Sequence, residues 1–224
     1  MLERIAAKYG VQARFIVALW GTETNYGGYT GNFSVPRSLA TLAYDGRRAE
    51  FFRKELLNAL KIIDAGHITL ADMDGSWAGA MGQCQFMPTS FLKYAVDYDG
   101  DGKKDIWGTR ADIFASIANY LSSVGWDPET TWGREVQVPP GFDRKYADYD
   151  LKYTIQQWQD AGVRSLGGGD LPLKRGDLQA SLVFPGGGDR VVMLYDNYRT
   201  ILDWNKSSYF ATAVGTLSDR IAGW

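Results

Sequence analysis

The chain has 224 residues, 45% of them hydrophobic and 22% charged, which excludes a disordered polypeptide and allows one or two domains with a sizeable core. A formal net charge of -2 argues against a nucleic-acid partner, which favours a basic face. No apolar run approaches the roughly 20 residues that span a bilayer, so no transmembrane segment is expected.

Met1 leads directly into LERIAAKYG, without the basic start and apolar stretch of an export signal. Residues 2–9 and 12–25 read as two helices joined at Gly10, the second stopped by Asn25, Gly27 and Gly28. Within it Phe15, Leu19 and Glu23 are four apart and share one helix face. An acid at that position is either turned to the rim and solvated, or held near apolar groups where burial favours the protonated form a general acid needs. The segment 29–36, rich in Gly, Asn, Ser and Thr, reads as a solvent-facing loop beside Glu23. Helical periodicity resumes over 38–44 and 47–65, marked by Phe51, Leu56, Leu60 and Ile63.

His67 is the only histidine, which excludes a multi-histidine zinc site, and in its turn-like setting it reads as solvated. Cys84 is the only cysteine, so no internal disulfide forms, and a thiol nucleophile has only His67 as a histidine base. GSWAGAMGQCQFMPTSFLKY, residues 75–94, alternates small and large residues and permits close backbone approach to a helix or a ligand. Gln85 there is either an ordinary buried amide or a group that meets sugar hydroxyls and acetamides. Pro88 suits the start of a helix over 89–96.

DYDGDGKKD places Asp97, Asp99 and Asp101 at positions one, three and five of a calcium loop, with Gly102 at the sharp turn. Position twelve is Gly108 rather than Glu, and Asp112 is the residue that closes the site if the loop is longer. Residues 112–124 form an amphipathic helix. Beyond Gly125 short extended pieces predominate, with a capping box at Thr154 and Gln157 and a hairpin of ASLVF and RVVMLY around residues 185–189. Residues 198–205 lead into a last helix over 207–221. The whole reads as α+β and mainly α, with 126–196 as a small β-containing insertion between 1–125 and 197–224.

In order and spacing, GTETNYGG, GSWAGAMGQCQFMPTS, the acidic loop and WNKSSYF resemble the membrane-bound lytic transglycosylase B family. The resemblance covers almost the whole chain. It implies a lysozyme-like helical domain with an EF-hand-like loop over 97–112 and an enzyme that cleaves the MurNAc–GlcNAc β-1,4 bond of peptidoglycan. It makes Glu23 the single acid/base and implies 1,6-anhydro products formed with help from the substrate's N-acetyl group. Ser76, Gln85 and Asn205 match polar cleft residues, and Phe86, Trp204 and Phe210 are candidates for stacking on sugars, the last two standing where tyrosines are expected. Asp97, Asp99, Asp101, Lys103 through its carbonyl, and Asp112 match calcium-site positions. Calcium as a structural ion, no organic cofactor, glycan strands as partner, a monomer and a periplasmic or cell-envelope location complete what the resemblance implies. A water-using muramidase and a catalytically silent peptidoglycan-binding module are the alternatives.

Overall fold

The computed structural model describes residues 1–223, which form two compact units. One contains Met1–Ser123 and the chain from Ser218; the other is Val124–Leu217. In the first, α1 (Leu2–Tyr9) and α2 (Ala13–Thr24) are followed by β1 (Phe33–Ser34), α3 (Val35–Asp45), α4 (Ala49–Asp64), β2 (Asp74–Gly75), α5 (Pro88–Tyr94) and α6 (Arg110–Ser123). Helix α6 buries Ile113, Phe114, Ala115, Ile117, Ala118, Tyr120 and Leu121 together with the polar Asp112 and Ser116, so it is a core helix buried on most of its circumference. Helices α1 and α2 pack on it, while α4 packs against both α3 and α5. Glu55 of α4 is 3% exposed, and its carboxylate accepts the Thr89 N–H at 2.8 Å and the Thr89 hydroxyl at 2.7 Å. That acid therefore satisfies an orphan donor at the start of α5, where negative charge also suits the helix dipole.

The loop expected over 29–36 contains β1, paired antiparallel with β2 through Phe33 opposite Gly75 and Ser34 opposite Asp74. Two-residue strands are too short to leave a period-2 signal in sequence. Helix α3 begins at Val35, three residues earlier than its periodicity suggested, because Pro36 sits in its first turn, where a missing N–H costs nothing.

In the second unit β3 (Gly133–Gln137), β4 (Tyr153–Thr154), α7 (Ile155–Asp160), β5 (Arg164–Ser165), β6 (Gln179–Val183) and β7 (Val191–Leu194) precede α8 (Asp196–Trp204) and α9 (Ser208–Ile221). The antiparallel sheet runs β4-β6-β7-β3-β5, with the expected β6–β7 hairpin at its centre. Its core gathers Val136, Ile155, Trp158, Val163, Leu182 and Met193. The capping box is present: Thr154 Oγ1 accepts the Gln157 N–H, and Gln157 Oε1 accepts the Thr154 N–H.

Helix α8 and most of α9 belong to this unit, whereas the sequence reading groups residues 197–224 with the helical domain. The reason is a buried amide. Asn197 accepts the Asp127 N–H at 2.8 Å and donates to the carbonyls of Asp127 at 2.8 Å and Thr130 at 3.1 Å. Tyr198 ties α8 to α9 by hydrogen bonds at 3.0 Å to the Ser208 carbonyl and the Thr212 hydroxyl.

Gly31 has φ +95, and a Cβ there would lie 2.1 Å from the Gly75 carbonyl oxygen, whereas Gly46, at φ +89, has open space around it. Both substitutions to Ala carry the left-handed penalty, but only Gly31→Ala also drives β1 off β2. Denaturant titration is expected to show Gly31→Ala less stable than Gly46→Ala by about 1–3 kcal/mol. Equal losses would contradict the close approach.

Candidate active site

Phe15 and Leu19 are fully buried, as their spacing predicts, but four residues on, the same face of α2 opens and Glu23 is only half-buried. The apolar stripe ends at a cavity of about 180 Å³ lined by Glu23, Tyr29, Thr30, Gly31, Phe33, Ser76, Trp77 and Gln85. Glu23 is the one carboxylate among these eight residues. Three rings at the cavity are open to solvent: Tyr29 at 67%, Phe33 at 50% and Trp77 at 64% exposure. Large exposed aromatics beside one acid are the type of wall on which a flat, partly apolar ligand stacks. Sequence reasoning passed over all three, although aromatic residues inside Gly-rich stretches, NYGGYTGNF and GSWAG, were the available signal.

Two expected polar residues share the cavity with Glu23. Gln85 stands in a left-handed conformation, φ 48, and its Nε2 donates to the carbonyls of Thr30 and Gly82, each at 3.0 Å. With both amide hydrogens engaged, Oε1 is the atom it offers a ligand. Ser76 Oγ accepts the Ala80 N–H at 3.0 Å, which leaves its own hydroxyl hydrogen as a donor into the cavity.

Phe86 takes a different role from the one expected. It is 2% exposed, its ring lies 5.9 Å from that of Tyr120, and its backbone exchanges hydrogen bonds with Met81, so neither ring face is available for stacking. Trp204, Asn205 and Phe210 lie in the second unit. Asn205 is exposed after α8, with Oδ1 accepting the Ser207 N–H at 3.1 Å. Trp204 and Phe210 are half-buried, and the exposed ring of α9's first turn is Tyr209, at 73%.

Cys84 is fully buried, and its thiol donates to the Ile113 carbonyl at 3.5 Å. Burial pushes the thiol well above its ordinary range, and the charge of Glu23 adds to the shift. It stays protonated, and His67 is no partner for it: His67 Nδ1 accepts the Lys104 N–H at 3.2 Å. Burial, then the neighbouring Lys104 charge, holds that imidazole below its usual range and neutral.

The acidic loop brings three of its expected ligands together. Asp97, Asp99 and Asp112 each offer an oxygen within 4.8 Å of the others. Asp112 is wholly buried, and its two oxygens accept the N–H groups of Tyr98 and Asp105, both at 2.8 Å. Burial raises its affinity for a proton, the two N–H bonds oppose that, and the like charges of Asp99 and Asp97 add to it. Asp101 turns instead to the Lys103 N–H at 2.8 Å, and Lys103 is exposed. Three converging hard oxygens with mutual repulsion fit a divalent cation such as calcium.

A larger cavity of about 440 Å³ in the second unit is lined by Pro139, Phe142, Tyr146, Tyr153 and Trp158 among others. Three of its polar side chains are already committed: Gln157 to the capping box, Asp143 to Lys145, and the Trp158 indole N–H to the Ala180 carbonyl. Its one carboxylate, Asp143, is paired with Lys145, unlike Glu23 in front of Ser76 and Gln85.

A family model described as "Transglycosylase SLT domain" matches residues 1–219. Membrane-bound lytic murein transglycosylase B of Escherichia coli (strain K12) is 35% identical over 229 residues, covering 99% of this chain and 60% of the relative. Among solved structures, SltB3 from Pseudomonas aeruginosa in complex with NAG-NAM-pentapeptide superposes with a TM-score of 0.97 at 49% identity, covering 100% of this chain and 60% of that one. The Escherichia coli lytic transglycosylase Slt35 in complex with calcium gives 0.84 at 34% identity, covering 99% and 69%. The chain thus spans 60% of the length of the curated relative it matches. No helix among the described residues is long and apolar enough to cross a membrane. By its sequence match over residues 1–219 and by its fold, the chain belongs to the transglycosylase SLT domain family.

Proposed function

We propose that this chain carries the catalytic region of a lytic transglycosylase that cleaves the MurNAc–GlcNAc bond of peptidoglycan in the cell envelope, with Glu23 as its single acid and base. The observation that carries the reading is the lone carboxylate of Glu23 in a cavity walled by Ser76, Gln85 and exposed aromatics. Relatives of the same family are lytic transglycosylases, and one is solved with a muropeptide.

Glycosidases ordinarily divide the work between two carboxylates, one protonating the leaving oxygen and one serving as nucleophile or water-activating base. With one acid in the cavity, the second role falls to the substrate. Glu23 sits half-buried in the last turn of α2, facing the cavity, and in this reading it enters the reaction as the protonated acid. It gives its proton to the glycosidic oxygen as that bond breaks, and the substrate's acetamido oxygen meets the positive charge developing at C1. Glu23, now a carboxylate, takes the proton from the MurNAc C6 hydroxyl, whose oxygen attacks C1 and closes the 1,6-anhydro ring. No water is consumed, and an attack within one sugar has a high effective concentration. The Ser76 hydroxyl and Gln85 Oε1 orient the sugar and its acetamide, while Trp77, Tyr29 and Phe33 stack on it. Asn205, Trp204 and Phe210 enter this reading on the resemblance of their motif alone.

Calcium is a structural ion in this reading, held by Asp97, Asp99 and Asp112, the three acids whose oxygens converge. It would neutralise repulsion in a loop that Asp112 pins through Tyr98 and Asp105.

Two outcomes are expected. Glu23→Gln, which keeps the shape and removes the ionisable proton, lowers release of soluble fragments from purified sacculi by about 10²–10⁴-fold while the melting temperature holds; turnover within twofold of wild type would remove Glu23 from the chemistry. Calcium at about a hundred times its dissociation constant stabilises by about 2.7 kcal/mol, a rise of several degrees in melting temperature. Asp99→Asn, at an exposed position, loses that rise; a melting temperature indifferent to calcium and chelator would count against the site.

A further inference from the structure

We propose that Gln83 is a positioning residue that holds Glu23 in place; the inference rests on Glu23 being the acid/base. Gln83 does not line the cavity, yet each of its four polar groups is bonded. Its Oε1 accepts the Trp20 indole N–H at 2.8 Å, and its carbonyl shares the Thr24 hydroxyl with the Trp20 carbonyl, each at 3.2 Å. Trp20 and Thr24 bracket Glu23 on the last turn of α2, and Thr24 Oγ1 in turn accepts the Gly27 N–H at 3.1 Å. On the other side, Gln83 Nε2 donates to the Trp107 carbonyl at 2.7 Å and its backbone N–H to the Ile106 carbonyl at 2.8 Å. One residue therefore clamps the turn that carries Glu23 to the segment leaving the acidic loop.

The chain after α2 lies directly on this amide: a Cβ at Gly27 would sit 2.3 Å from Gln83 Oε1. Glu23 itself is close enough for its charge to act on the thiol of Cys84, the next residue. Trp20 is fixed further by edge-on contacts with Tyr26 at 5.4 Å and Phe114 at 5.1 Å, so a shift of the amide is passed to the helix turn rather than absorbed by a loose ring.

The chemistry of the bridge selects glutamine. An indole N–H only donates and a carbonyl only accepts, so the linking group must present an acceptor and a donor from one planar end. A carboxylate of the same length offers two acceptors and repels the Trp107 carbonyl, and a thioether offers neither bond in full. Misplacing a reacting group by about 1 Å costs about 10²-fold in rate.

The test uses Gln83→Met, Trp20→Phe and the double variant on soluble peptidoglycan fragments, with the Trp20 indole N–H followed by ¹⁵N NMR and assigned by its loss in Trp20→Phe. The expected result is a kcat about 10- to 100-fold lower in each single variant, KM within about twofold, a displaced Trp20 signal in Gln83→Met, and a double variant no worse than the worse single. A folded Gln83→Met with wild-type kcat overturns the proposal, as do losses confined to KM or losses that multiply in the double variant. If Gln83→Met does not fold, Trp20→Phe decides on the same kcat and KM readouts. Glu23→Gln is run alongside: full turnover there refutes the acid assignment on which the proposal rests, whereas loss in Glu23→Gln with wild-type rates in the Gln83 and Trp20 variants refutes the positioning role alone.

Discussion

Glu23 meets a cavity only because the chain from Gly75 to Phe86 doubles back on itself against the end of α2. The Ser76 N–H reaches the Ala80 carbonyl at 2.8 Å, the Met81 N–H reaches the Phe86 carbonyl at 2.8 Å, and the Phe86 N–H returns to the Met81 carbonyl at 3.1 Å. These bonds are made by backbone, so the side chains of Ser76, Trp77 and Gln85 are left to line the space in front of Glu23. Gln85 is held at φ 48, a conformation that non-glycine residues adopt rarely and that persists where surrounding bonds over-determine it. The glycine-rich turn is thus less a flexible connector than the frame of the site.

Three carboxylates away from bulk water illustrate how burial alone fails to identify a working acid. Glu55 and Asp112 are more buried than Glu23, at 3% and 0% exposure. Both, however, spend their oxygens on structural donors: Glu55 on the N–H and hydroxyl of Thr89, Asp112 on the N–H groups of Tyr98 and Asp105. Their bonds organise α5 and the acidic loop. Glu23 differs by opening onto a cavity with polar groups and exposed rings around it. Position relative to a space, more than depth, separates the proposed acid/base from the carboxylates that organise the fold.

What the sequence makes legible follows from the range of the forces involved. Helix periods, the αL stop at Asn25, the Thr154–Gln157 capping box and the β6–β7 hairpin are local, and each is visible in the chain before folding. Glu23, Ser76 and Gln85 were nameable because their motifs carry a family resemblance, and the structure gathers them on one cavity. The rest depends on contacts between distant segments. Phe86 looks like a cleft aromatic until its packing on Tyr120 is seen, and α8 looks like part of the helical domain until Asn197 is found bonded to Asp127 and Thr130. Tyr29, Phe33 and Trp77 escape notice for the same reason: nothing in a period or a spacing distinguishes an aromatic on a loop that faces a cavity from one that faces elsewhere.

The central claim is that one carboxylate suffices because the substrate supplies both the second stabilising group and the nucleophile. Mass analysis of the ends released from purified sacculi tests it most directly, since an anhydro end is lighter than a reducing end by one water. The account predicts 1,6-anhydro ends from the wild-type protein, with none from Glu23→Gln. Release of reducing ends alone would contradict it, because water would then be the nucleophile and a second activating group would be required.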